Sequence, residues 1–193
     1  MALAAGGTEV ASAASAPALG HYSVEAKLIS VTQDSLDHIS GGTTMGLFSN
    51  DMVAQLVQSP HASVLSLPSF ETATEAPGTI AITQKRLFSD GPPRQIGVTL
   101  TVTPTPTDQR FQIAFENVRF EGFSSAKATT PVFNTQRLAT TMIPYQPATD
   151  GYYCCALQRL DHSVVTYDAD GRRSASIADA NERQLLFVKI TRG

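Results

Sequence analysis

The 193-residue chain is 42% hydrophobic and only 16% charged, against roughly 25% charged in an average domain, and carries 11 prolines, 13 glycines and a net charge of −3. That length suits one domain, which buries roughly 70% of its unfolded surface and so folds without a metal or disulfide. The net charge of −3 gives no electrostatic footprint for nucleic acid or an anionic membrane surface, and no apolar run approaches the roughly 20 residues of a membrane helix.

Residues 1–19, rich in Ala, Gly and Ser, have neither the basic start nor the hydrophobic segment of an intact signal peptide. They read as the flexible leader of a mature exported protein, with a cytosolic disordered tail as the alternative. From residue 20 to 193 the pattern predicts one mainly β domain. Tyr22, Val24, Ala26 and Leu28 alternate with His21, Ser23, Glu25 and Lys27, a half-buried strand. Ile29 and Val31 then change phase, which predicts a bulge or a strand that changes sheets. Residues 32–45 are polar and Gly-rich and read as a loop. One helix is predicted, at 48–58: Ser49 or Asn50 caps it, Met52, Val53, Leu56 and Val57 fall at helical spacing, and Pro60 closes it.

Strands are predicted at 63–67, 79–83, 95–103, 111–120, 132–143, 152–157, 163–167 and 185–191, separated by turn pairs such as Asp90-Gly91, Asp150-Gly151 and Asp170-Gly171. The clearest is IGVTLTVTP at 96–104, where Ile96, Val98, Leu100 and Val102 alternate with Gly and Thr until Pro104 stops the ladder. In 111–120 the apolar phase slips at Glu116-Asn117, which predicts another bulge or corner. Short strands with a single helix point to an antiparallel β-sandwich, immunoglobulin-like in one version, with closure into a barrel left open.

Chemistry-bearing residues form no recognisable constellation. His21, His38, His61 and His162 are too far apart for the usual zinc spacing. Asp161-His162-Ser163 has triad residue types, but sequence neighbours diverge in space and read as a polar turn. Asp150, Asp161, Glu71 and Glu75 resemble solvated loop acids. Cys154 and Cys155 are adjacent, so on a strand they point to opposite faces and read as buried thiols rather than a disulfide. In RFQIAFENVRFEGF (110–123) Glu116 and Glu121 cancel Arg110 and Arg119, so its aromatics read as core rather than a base-stacking platform. Lys85-Arg86 and Arg172-Arg173 are too small to count as basic patches. No nucleophile elbow, P-loop or dinucleotide glycine pattern is present. The expectation is no catalytic residue, no metal and no cofactor: not an enzyme.

Five segments then stand in a telling order. They are VLSLP (64–68) after the helix; TATEAPGTIAI (72–82); IGVTLTVTP, which follows a G-x-x-L-x-V-x-P pattern; 140–157 with its Asp150-Gly151 turn; and QLLFVKIT (184–191). Together they resemble the C-terminal core module of bacterial secretins, the outer-membrane channels of type II and III secretion and type IV pilus systems. The chain departs from that pattern where paired glycines are replaced by Cys155-Ala156. It also departs at 158–183, where a polar hairpin around Asp170-Gly171 replaces the V-P-x-L-G-x-x-P-x-x-G-x-L-F motif tied to the channel wall and lip. Residues 120–130 are too short for gating hairpins, ring-forming N-terminal modules are missing, and nothing supplies a lipid-facing band.

The resemblance therefore implies a secretin-like module that has kept the strand order and lost the pore. Its implied role is a non-catalytic structural or assembly component, exported to the periplasm or outer membrane and linked to type IV pilus or secretion assembly. It would bind protein partners by edge-strand addition or an exposed sheet face, with no nucleic acid and no membrane span of its own, as a monomer or dimer rather than a ring. The alternative is a sandwich that binds glycans or host surface ligands through Tyr145, Tyr152 and Tyr153; an undetected hydrolase comes third.

Overall fold

The computed structural model describes residues 20–60, 62–89, 91–105, 110–144, 151–157, 163–177 and 182–192. The leader 1–19 lies outside the described residues, as do His61, Asp90, Tyr145, Asp150, Asp161 and His162. In chain order the elements are β1 (His21–Thr32), α1 (Gln33–Ser40), β2 (Gly46–Ser49), α2 (Asn50–Gln58), β3 (Ser63–Ala73) and β4 (Gly78–Arg86). There follow β5 (Arg94–Pro104), β6 (Arg110–Phe123), β7 (Pro131–Pro144), β8 (Gly151–Ala156), β9 (Ser163–Tyr167), β10 (Arg173–Ile177) and β11 (Glu182–Arg192). They form an antiparallel sandwich of a five-stranded sheet, β2-β8-β11-β1-β3, on a four-stranded sheet, β4-β5-β6-β7, with β9-β10 as a separate hairpin.

The inner faces meet as the alternation predicts. Val24, Ala26 and Leu28 of β1 pack with Val98, Leu100 and Val102 of β5, Phe111, Ile113 and Phe115 of β6, and Cys155, Leu186 and Val188 of the neighbouring strands. This shared apolar interior is the main driving force that holds the sheets together.

The change of phase in β1 has a different cause from the one predicted. β1 pairs with β11 without interruption from Tyr22↔Arg192 to Thr32↔Glu182, so it neither bulges at Ile29 nor changes sheets. Ile29 and Val31 instead enter a second core on the outer face, with Leu36, Phe48, Val53, Leu56, Leu185 and Phe187. At that end the strand is buried on both faces, so both phases are apolar. The real irregularity lies against β3, where Val24↔Phe70 is followed by Ala26↔Leu67. The extra β3 residue falls at Pro68-Ser69, and β3 is an edge strand, the place a sheet tolerates proline.

Two helices cover this second core, not one. Residues 32–45, read as a loop, contain α1: Thr32 caps it by accepting from the Ser35 amide, and Gly41 ends it in the left-handed region at φ 62°. Only Leu36 is fully buried in α1, so no apolar period announced it. The predicted helix at 48–58 begins later, at Asn50, with Ser49 as its cap through the Met52 amide. Phe48 belongs to β2, opposite Tyr152, and meets Phe187 edge-on with ring centroids 5.3 Å apart.

In β6 the predicted corner at Glu116-Asn117 is absent. Phe111, Ile113, Phe115 and Asn117 are all buried, an unbroken period of two in which a polar residue takes the fourth inward slot. Register shifts occur instead between Ile113 and Phe115, where β7 carries an extra residue, and between Phe120 and Phe123, where Gly122 has φ 95°. The polar hairpin expected around Asp170-Gly171 is β9-β10, with Arg173 opposite Tyr167.

Candidate interaction surface

Among the described residues, those considered for chemistry form no metal-holding group. His21 is exposed at the start of β1, His38 is exposed on α1, Glu71 is exposed on β3, and Glu75 sits at φ 63° in the β3–β4 turn. No group of three or more His, Cys, Asp or Glu among the described residues could hold a metal. Cys154 and Cys155 are free and buried on opposite faces, Cys154 in the helix-covered core and Cys155 between the sheets. Cys154 Sγ donates to the Thr44 carbonyl at 3.3 Å. Burial raises both thiols, Cys155 to about 11 and Cys154 further, so neither is a nucleophile at neutral pH.

Of the tyrosines proposed for ligand binding, the two described ones, Tyr152 and Tyr153, face opposite sides of β8. Tyr152 is 5% exposed, and its hydroxyl donates to Glu25 Oε1 at 2.9 Å and accepts from the Lys27 ammonium. Tyr153, its neighbour, faces the other way and packs on the inter-sheet core. Burial pushes the Glu25 carboxyl up, but the Tyr152 hydroxyl and Lys27 outweigh it and hold it below its ordinary value. Burial likewise lowers Lys27, and the Tyr152 and Glu25 oxygens more than restore it.

A half-buried aromatic group, with Phe123 exposed, stands at another place. Past the end of β4, Phe88 stands against Phe120, Phe133 and Phe123, with centroids 5.2, 5.4 and 6.4 Å away. The Arg86 guanidinium lies over the Phe120 ring at 4.4 Å and the Phe88 ring at 5.8 Å. β9-β10 docks beside it: Tyr167 Oη accepts from the Phe123 amide at 3.1 Å and donates to the Phe123 carbonyl at 2.8 Å. Arg173 pairs with Glu121 at 3.3 Å. Sequence reasoning missed this group because its members span residues 86–133 and share no local period. The one available signal was Phe120 and Phe123 continuing past the core-forming run of β6.

A second feature is a cleft of about 350 Å³ between the two sheets, lined by Leu28, Ser30, Leu65, Ile82, Asn117 and Gln184 among others. Gln184 Nε2 donates to Ser30 Oγ at 3.3 Å, and Gln184 Oε1 is buried without a hydrogen-bond partner.

No family model and no curated protein matches the chain. Among solved structures it is similar to the type II secretin GspD of enteropathogenic Escherichia coli, with 15% identity, 90% of this chain and 66% of that chain covered, and a TM-score of 0.37. It is also similar to a chain of the ETEC pilotin–secretin complex AspS–GspD (13% identity, 90% and 48% covered, TM-score 0.42). A third is the type IV competence pilus secretin PilQ of V. cholerae (15% identity, 91% and 61% covered, TM-score 0.41). The chain thus spans between 48% and 66% of the length of these three.

Proposed function

We propose that the protein is a non-catalytic structural or assembly component of an envelope machine, a secretin-like module without a pore. What carries this reading is the position of the five secretin-resembling segments on the strands. VLSLP lies in β3, TATEAPGTIAI turns the corner from β3 into β4, IGVTLTVTP lies in β5, and QLLFVKIT lies in β11. Residues 140–157 run from the end of β7 into β8. Where the resemblance leads one to expect a membrane lip, the chain has the short β9-β10 hairpin, pinned to β6 by Tyr167 and Arg173.

In this reading the protein is exported, works in the periplasm or at the outer membrane, and serves type IV pilus or secretion assembly. Partners add to the free edges of β3 or β4, or dock on an exposed face. Crosslinking the tagged chain in native envelopes and identifying the adducts is expected to recover pilus or secretion components; none among them would overturn it. Light scattering after size exclusion is expected to give a monomer or dimer, and detergent-dependent annular particles would contradict the loss of the pore.

A second reading, a module that binds glycans or host surface ligands, is favoured by the aromatic group around Phe88 rather than by the tyrosines. Micromolar binding on a glycan array, lost in Phe123→Ala, would promote it.

A further inference from the structure

We propose that the β4–β5 end of the sandwich is a peripheral contact for an anionic lipid surface. Leu87, immediately after β4, is 78% exposed, and Phe123, against the following Phe88, is 36% exposed. Leu87 lies outside the β4 and β5 ladders and is the most exposed large apolar side chain among the described residues, so an apolar phase reached from outside can bury it. Next to it in sequence, Phe88 packs with Phe120 and Phe133, and Arg86 lies over the Phe88 and Phe120 rings.

Residues 85–94 carry three cations, Lys85, Arg86 and Arg94, against one acid. Arg86 stands directly opposite Arg94 in the β4–β5 ladder, and Lys85 is opposite Gln95. No carboxylate among the described residues pairs with Lys85, Arg86 or Arg94. Asp90 is the one acid in the sequence between these cations. Like charges facing each other across a ladder are destabilising, and a layer of anionic headgroups relieves that repulsion while the cations' alkyl stems follow the apolar side chains inward. The net charge of −3 over the whole chain repels the rest of the molecule from such a surface and so orients this end toward it. An acidic peptide would satisfy the cations but would offer Leu87 no apolar phase.

The test is co-sedimentation of the full chain with phosphatidylcholine vesicles, with and without an added phosphatidylglycerol fraction, at ~0.1 M salt, where charges within about 10 Å still act. Binding is expected to the anionic vesicles only and to weaken as salt rises. Leu87→Asp is expected to lower partitioning at least about tenfold while leaving the circular dichroism and Tm unchanged, since the side chain is exposed. The pair Lys85→Gln and Arg94→Gln is expected to remove about fivefold per cation. Absence of binding to anionic vesicles, equal binding by Leu87→Asp, no preference for phosphatidylglycerol, or saturable binding of a poly-glutamate peptide without vesicle binding would each overturn the proposal. Vesicles contain no protein partner, so the result stands apart from the assembly reading.

Discussion

Tyr152 joins two strands of the five-stranded sheet through one hydroxyl, which donates to Glu25 and accepts from Lys27, both on β1. Because Glu25 and Lys27 are partly solvated, removing the hydroxyl is expected to cost only about 1 kcal/mol. Tyr152→Phe should therefore lower the urea midpoint modestly and let the Glu25 carboxyl titrate higher, as NMR would follow. The paired cysteines make a sharper prediction. In the unfolded chain the Cys155 thiol has its ordinary value of 9.0, and in the fold it rises to about 11 because burial disfavours the thiolate. Between those values the unfolded chain has lost a proton the native chain keeps, so stability is intact below pH 9 and falls as pH rises. The slope is at most about 1.4 kcal/mol per pH unit per thiol. Urea titrations on either side of this window should show the alkaline loss in the wild type and a smaller loss in Cys154→Ala/Cys155→Ala. Equal losses would show that these thiols do not drive it.

At the scale of single elements, Gly97 explains why the G-x-x-L-x-V-x-P string begins with glycine. Its φ is 131°, and a Cβ there would lie 2.1 Å from the Ile82 carbonyl oxygen and 2.9 Å from the Thr83 Cα on the paired strand. Backbone on one side and a disfavoured φ on the other leave no relaxation. Gly97→Ala is expected to cost at least about 3 kcal/mol, measured as a drop in Tm or loss of soluble folded protein. α1 depends on one side chain in a comparable way. Leu36 is its only fully buried residue and seals the outer core together with Phe48 and Leu56. Leu36→Ala should cost about 2–5 kcal/mol, whereas exposed polar positions of the same helix should tolerate alanine.

At the scale of the whole molecule, β1 and β11 belong to both cores: Leu28 and Leu186 face the opposite sheet, and Ile29 and Leu185 face the helices. Two interiors that share strands should melt together. Cys154 and Cys155 report on one core each, so in single-thiol variants both should become reactive at the same urea concentration, coincident with the loss of far-ultraviolet dichroism; separate midpoints would refute the coupling. Most of the strands were legible beforehand, because alternation along a strand is a local record of which face meets the interior. IGVTLTVTP, the β1 pattern, the β9-β10 hairpin and the opposed cysteines are all of that kind. The second helix was not legible, since one leucine among polar residues makes no period. The burial of β1 on both faces looked like a break, because a sequence records that a residue is apolar and not which neighbour covers it. Local order along the chain thus determined the strands and their inward residues. Tertiary structure alone decided that Phe88, Phe120, Phe123 and Phe133 meet, with Arg86 over the first two, because contacts between residues distant in sequence leave no periodic trace for a reader to find.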